Sequence, residues 1–255
     1  MLNTPIMKIG LIGFGKTGKA AAHVILLHKD FSLEWVLKRK LLSHRTASEF
    51  LGVESNDPAV IHAAQSTPVG RLLKEAPVDF IIDFSSEQTV YEYGEEAARR
   101  KVKIISAISH YPQSIVAYLK KLAESTVVFW SPNITLGVNF MMLASKYLQK
   151  IAPFADVELV EEHFKAKSGI SGTALKIAEA LGIKSEDIKH VRAGGIVGKH
   201  ELIFGFPYQT VRLIHESIAR EAFGNGALFA AGNLKDKVAG FYNFEDLLAP
   251  YFKID

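Results

Sequence analysis

Residues 161–174 read EEHFKAKSGISGTA. Their chemistry is anion recognition beside an acid–base group. Lys167 brings a fixed positive charge. Ser171, Gly172 and Thr173 precede an amphipathic run, LKIAEALG, so their backbone N–H groups stand at a helix start, where an anion is favoured. His163 titrates near neutral pH and is a candidate general acid. Ser171 or Thr173 would cap the helix with or without a ligand. Taken alone, the stretch also reads as a capped helix behind a surface histidine and two solvated lysines. Glu161-Glu162-His163 lacks the HExxH spacing of a zinc site, so no metal is expected.

A second group of residues lies near the start. Gly13-Phe14-Gly15-Lys16-Thr17-Gly18 is a GxGxxG between an apolar run, MKIGLIG, and a helical one, KTGKAAAHVILLHK. That context separates a dinucleotide fingerprint from a plain glycine-rich turn. The first glycine permits the tight turn, the second lets a pyrophosphate approach the backbone, and the third lets helix and strand pack closely. The next strand-like run, LEWVLK, leads into Lys38-Arg39-Lys40, where an NAD-binding chain usually carries an acid for the ribose 2′-OH. Glu34 lies too early to replace that acid. Cations at this tip suit a 2′-phosphate, which Arg39 can take bidentately. NADPH is therefore expected over NADH, with NADH also possible; a ligand-free basic turn is the plainer alternative. Asp83 ends another apolar run, VDFIID, and makes Phe84 and Ser85 candidate cofactor contacts.

The elements that carry these residues follow from periodicity. After the opening strand–helix–strand, VDFIID, KIIS and TVVFW alternate with the helical EQTVYEYGEEAARRK and PQSIVAYLKKLAES. That alternation predicts a parallel sheet with helices on both faces. Beyond residue 133 the pattern changes. GVNFMMLASKYLQKIAPF reads as one helix, DVELVEEHF as a strand and SGTALKIAEALG as a helix. Residues 190–218 then read as two or three strands with no helix between them, and FGNGALFAAGNL as a helix. Such a strand run suits an antiparallel or mixed sheet with one open face. The fold class expected is α/β: a Rossmann-type dinucleotide-binding domain plus an α+β substrate and oligomerisation domain. Residues 1–6 read as an extension ahead of the first strand.

Composition narrows the function. With 255 residues, 48% of them hydrophobic and 22% charged, the chain can bury a core without staples. It has no cysteine, which excludes disulfides, thiolate zinc sites and thiol catalysis. A net charge of +3 is too small to argue for nucleic acid and is compatible with an anionic ligand. No apolar run approaches the roughly 18 residues needed to span a bilayer, and no signal-peptide pattern opens the chain. A cytoplasmic protein with no membrane partner is expected.

Several blocks occur in order: GFGKTGK at 13–19, DFSS at 83–86, SPNITLGVN at 131–139, SGTAL at 171–175, RAGGIVGKHELIF at 192–204, HESIAREAFGNGAL at 215–228 and GFYNFEDLL at 240–248. Over nearly its whole length the chain resembles the dihydrodipicolinate reductases. The resemblance implies NAD(P)H-dependent reduction of 4-hydroxy-tetrahydrodipicolinate to tetrahydrodipicolinate, in lysine and diaminopimelate biosynthesis. It implies a small dicarboxylate substrate and a homotetramer, or a dimer, assembled through the sheets. It also implies a dinucleotide-binding domain over 1–133 and 234–255, with a substrate domain over 134–233.

The family signature E-x-H-H-x-x-K-x-D-x-P-S-G-T-A places a catalytic pair on His163 and Lys167, and substrate contacts on Ser171, Gly172 and Thr173. Phe164 stands where the second His of the signature recognises substrate. The Asp and Pro are missing, and the Lys-to-Ser stretch is one residue shorter. The family's GTTG loop, which lies against the nicotinamide, matches Ser106-Ala107-Ile108-Ser109 without either Thr. Ser131, Asn133 and Ile134, with Arg220 and Phe223, match cofactor contacts; His200 and His215 match positions read as structural. Phe164 cannot donate a hydrogen bond, and a substrate oxygen left unpaired there costs about 1–3 kcal/mol. Three readings therefore stand: this reductase with an altered pocket, a related NADPH-dependent reductase of another cyclic imine or enamine, or a non-catalytic cofactor-binding homologue.

Overall fold

The structure, a computed structural model, describes residues 6–40, 43 and 45–253. The chain opens with β1 (Met7–Ile12), α1 (Lys16–Leu26), β2 (Phe31–Lys38), α2 (Ala47–Leu51), β3 (Val60–Ala63), α3 (Val69–Glu75) and β4 (Phe80–Asp83). It continues through α4 (Val90–Arg99), β5 (Lys103–Ser106), α5 (Gln113–Ala123) and β6 (Val127–Trp130). Next come α6 (Leu136–Ile151), β7 (Asp156–His163), α7 (Gly172–Leu181), β8 (Lys189–Arg192), β9 (Lys199–Phe206) and β10 (Gln209–Glu216). The last elements are α8 (Glu221–Leu234), β11 (Gly240–Tyr242) and α9 (Phe244–Leu248).

The first sheet is parallel throughout, in the order β11-β6-β5-β4-β1-β2-β3. Its central strands are apolar on both sides because helices cover both faces, and every residue of β4 is buried. One close approach depends on a missing side chain. Gly10 pairs with Trp35 on the neighbouring strand, and a Cβ on Gly10 would lie 2.1 Å from the indole. The order β3-β2-β1-β4-β5-β6 reverses direction between β1 and β4, so the loops after those strands diverge and leave a crevice at their carboxyl ends.

The second sheet runs β10-β9-β7-β8, with β7 and β8 parallel and the other pairs antiparallel. Leu159, Leu202 and Phe204 alternate onto one face and form a core with Val138 of α6 and Ile177 of α7. The opposite face carries exposed Val191 and Ile214 among charged pairs such as Lys199–Glu162 at 2.7 Å. This is the mixed sheet with one open face that the strand run predicts.

Contacts divide the chain into residues up to Ile134 with Phe223–Leu247, and Thr135–Ala222 with the residues from Leu248 onward. The sequence expectation put these boundaries at 133/134 and 233/234, with the C-terminal residues in the first domain. Most of α8 packs instead in the first unit, where a Cβ on Gly224 would come within 2.9 Å of Ala21 Cα in α1. In the second unit Phe252 stacks on Tyr147 of α6, ring centroids 5.0 Å apart. The short α2, β3 and α3 lie in a stretch that gave no periodic signal. Residues 1–5 of the expected N-terminal extension lie outside the described residues.

Candidate active site

The turn after β1 divides its work among three glycines. Gly13 sits at φ +93°, and a Cβ there would lie 2.6 Å from the Phe84 carbonyl carbon. A Cβ on Gly18 would lie 2.0 Å from the Gly13 carbonyl oxygen. A Cβ on Gly15 would meet nothing within 4 Å. The first and third glycines thus close the strand–turn–helix, and the second faces open space. Gly15 is also the N-cap of α1, with no side-chain cap and no acid in the first helical turn, so no carboxylate of that turn competes for the terminus. A cavity of about 920 Å³ opens there, lined by Gly13, Phe14, Gly15, Lys38, Arg39 and the Phe84–Ser86 loop. These residues fit a dinucleotide: a bare backbone for the pyrophosphate and a basic tip for the adenosine ribose. Gln65, Gln88 and Thr89 also line the cavity, and no sequence motif singled them out.

Beneath that loop lies Asp83, fully buried. It accepts the Ser85 backbone N–H at 2.8 Å, the Ser85 hydroxyl, and the Tyr93 hydroxyl at 2.9 Å. Burial pushes its carboxyl up to about 6, against the opposing effect of those hydrogen bonds. Other expected cofactor residues lie elsewhere, all but Arg220 in the same unit. Lys16, Thr17 and Gly18 form the first turn of α1 and are not among the cavity-lining residues. Ser106 is fully buried, its hydroxyl 2.7 Å from that of Tyr111. Ala107 donates its N–H to the Asp83 carbonyl at 2.9 Å, and the Ile108 carbonyl accepts the Trp130 indole N–H at 2.8 Å. Ser131 donates to the Asn133 carbonyl at 2.5 Å, and Ile134 is buried. Arg220 is exposed after β10, and Phe223 is half-buried in α8.

In the second unit, Glu161 and His163 are alternate residues of β7 and so share its covered face. Glu161 is fully buried. Its two oxygens lie 3.2 and 3.1 Å from the Ser171 N–H, and Arg192 Nη2 donates to Oε1 at 2.5 Å. Burial pushes this carboxyl up, but the hydrogen bonds from Ser171 and Arg192 outweigh it and hold the group below its ordinary value. His163 Nδ1 stands 3.4 Å from Glu161 Oε2 without a hydrogen bond. Burial pulls its imidazole down, helped by Lys167 and Arg192 and opposed by Glu161, so it is mainly neutral at pH 7. The ring packs on Gly198, where a Cβ would lie 3.1 Å from Nε2.

Ser171 caps α7, its hydroxyl accepting the Ala174 N–H at 3.0 Å. The same hydroxyl lies 3.1 Å from His200 Nε2. Burial pulls His200 down to about 4, which keeps it neutral. His215 lies farther along, its ring centroid 6.3 Å from that of His200. Gly172 opens α7, and a Cβ there would meet nothing within 4 Å; Thr173 follows it, half-buried. Lys167 donates its backbone N–H to the Phe164 carbonyl at 3.0 Å, and the Phe164 side chain is exposed. Glu161, His163 and His200 bring one donor atom each within 4.8 Å of one another. The positive charge on that carboxylate is nevertheless the Arg192 guanidinium. Sequence reading missed Glu161 and Arg192 as a pair. Two-residue spacing from His163 could have placed Glu161, whereas Arg192 arrives only through the β7–β8 register, His163 opposite Arg192.

The family profile described as dihydrodipicolinate reductase, N-terminus, matches residues 7–134, and that described as dihydrodipicolinate reductase, C-terminus, matches 134–248. The 4-hydroxy-tetrahydrodipicolinate reductase of Caldanaerobacter subterraneus subsp. tengcongensis is 33% identical over 205 residues, covering 71% of this chain and 82% of its own. The protein of the same name from Polynucleobacter necessarius subsp. necessarius is 28% identical over 273 residues, covering 95% and 98%. Among solved structures, dipicolinate-bound dihydrodipicolinate reductase from Paenisporosarcina sp. TG-14 superposes with a TM-score of 0.77 at 21% identity, over 93% of this chain and 97% of that one. This last likeness shows the fold.

Proposed function

Because the chain belongs to the dihydrodipicolinate reductase family, we propose that it reduces 4-hydroxy-tetrahydrodipicolinate to tetrahydrodipicolinate, a step of lysine and diaminopimelate biosynthesis. The observation that carries this reading is that one chain holds both an open glycine cradle at Gly15 and, in its second unit, a Lys167 whose charge acts on His163 near an α7 start that has no acid in its first turn. The dinucleotide, when bound, supplies the hydride. The turn from Gly13 to Gly18 holds its pyrophosphate, and Lys38 and Arg39 hold a 2′-phosphate, which makes NADPH the preferred form. Phe84, Ser85, Ser106, Ala107, Ile108, Ser131, Asn133, Ile134, Arg220 and Phe223 complete the proposed cofactor contacts.

Lys167 and the α7 terminus at Gly172 and Thr173 take the substrate carboxylates, with Ser171, expected as a third contact, holding that terminus in place as its cap. The substrate's 4-hydroxyl group leaves as water, and His163 holds the proton that balances the hydride where negative charge develops. Its lowered pKa in the free protein gives the dicarboxylate a second task. Two negative charges beside the ring raise its proton affinity, so binding and protonation are coupled. Assembly as a homotetramer through the open face of the second sheet, and a cytoplasmic location, belong to the same proposal. Support for the assembly comes from the exposed Val191 and Ile214 on that face, and sedimentation checks it.

Supplying freshly generated 4-hydroxy-tetrahydrodipicolinate and following NADPH oxidation tests the reaction. Turnover that collapses in Lys167→Ala is expected; cofactor binding without turnover would overturn it. A second reading, reduction of a less polar cyclic imine, is favoured by the Phe164 ring, 43% exposed where a polar residue would suit a dicarboxylate. Phe164→His separates the two. The first reading expects kcat/KM for the dicarboxylate to rise about tenfold, from one recovered hydrogen bond, and the second expects no gain.

A further inference from the structure

Arg192 has no place in the mechanism above, yet its guanidinium makes three contacts around the Lys167 loop. Nη2 donates to Glu161 Oε1 at 2.5 Å and to the Gly169 carbonyl at 2.6 Å, and Nε donates to the Lys167 carbonyl at 3.3 Å. On its other side Glu161 accepts the Ser171 N–H and faces His163 Nδ1 at 3.4 Å. One ion pair, its carboxylate fully buried and its guanidinium largely so, therefore touches the residue before α7, the backbone of the Lys167–Gly169 turn and the acid–base histidine. This turn lacks the Asp and Pro of the family signature. Gly169 stands at φ +60° with nothing within 4 Å of a Cβ, so neither side-chain packing nor a proline ring fixes it.

We propose that the Arg192–Glu161 pair is a positioning device that sets Lys167, His163 and the α7 terminus in register for a dicarboxylate. The proposal rests on the reductase reading and adds which residues hold its substrate site. The guanidinium suits this task because its planar fork serves several acceptors at once, whereas an ammonium is a compact point charge. Misplacing catalytic groups by about 1 Å lowers rates on the order of a hundredfold. Loss of Arg192 should therefore act on the substrate and leave the cofactor untouched.

The test compares Arg192→Lys with the double variant Glu161→Gln/Arg192→Met. The double variant removes both charges together and so avoids stranding one of them in the interior. Expected for the double variant is a fall in kcat/KM for 4-hydroxy-tetrahydrodipicolinate of about a hundredfold, with the dissociation constant of NADPH within twofold of wild type. Arg192→Lys is expected to fall between the two. Pyridine-2,6-dicarboxylate, titrated calorimetrically, should bind at least about tenfold more weakly to the double variant. In amide hydrogen exchange, residues 165–171 should lose protection while α6 and β9 keep theirs. A folded double variant with wild-type kcat/KM and wild-type protection over 165–171 would overturn the proposal. If the wild type binds neither substrate nor pyridine-2,6-dicarboxylate, the reductase reading fails, and the exchange pattern alone still decides whether the pair sets the loop.

Discussion

Among the described residues two carboxylates are completely buried, one in each unit, and they are handled in opposite ways. Asp83 beneath the cofactor loop meets only neutral donors, from Ser85 and Tyr93, and burial lifts its pKa to about 6. Glu161 beneath the substrate loop meets the Arg192 guanidinium as well as the Ser171 N–H, and is held below its ordinary value. The contrast shows what burial alone does to an acid and what a paired cation adds.

The largest expected effect breaks one side of this comparison. Glu161→Ala strands a largely buried guanidinium and is expected to destabilise the protein by about 3–5 kcal/mol. Asp83→Asn keeps an acceptor for Ser85, removes a charge that burial disfavours, and leaves stability at pH 7 unchanged or raised. Thermal unfolding of both variants at pH 7 checks the pair; equal losses would erase the distinction.

A smaller effect sharpens it through pH. His200 has a folded pKa of about 4 against 6.5 unfolded, so its contribution is present above pH 6.5 and is lost as pH falls toward 4, by up to about 3 kcal/mol. Asp83 has the reverse sign. Its folded pKa of about 6 exceeds the ordinary 3.8, so its contribution is present below pH 4 and is lost as pH rises through 6. The two oppose each other between pH 4 and 6. Asp83→Asn is therefore expected to lose stability more steeply than wild type on acidification, as read from urea unfolding at several pH values. Least in free energy is the basic tip. Lys38→Ala and Arg39→Ala should each weaken NADPH binding about tenfold and NADH binding less than twofold, a difference near 1.4 kcal/mol. Fluorescence titration measures it, and an equal loss for both cofactors would remove the 2′-phosphate from the account.

How much of this was legible in the sequence depended on the range of the interaction. The Gly13–Gly18 turn and its helix are local, and the three glycines could be read one by one. The Ser171 cap is also local, three residues from the N–H it binds. The open mixed sheet followed from strands without intervening helices. The short β3 and α3 carried too few residues for a period to show. The Arg192–Glu161 pair spans 31 residues and exists only because β8 pairs in parallel with β7, a register that no local pattern encodes. The boundary near Phe223 was missed for a similar reason. Gly224 in α8 has its partner in α1, some two hundred residues earlier, and composition does not report such a contact.

The central claim, hydride transfer from a nicotinamide to this dicarboxylate, is tested most directly with isotope. The protein would be given 4-hydroxy-tetrahydrodipicolinate and NADPH doubly deuterated at the nicotinamide C4, and the product mass recorded. The account predicts tetrahydrodipicolinate carrying one deuterium, in an amount equal to the NADPH consumed and abolished in Lys167→Ala. Product without deuterium, or bound NADPH that is never consumed, would contradict it.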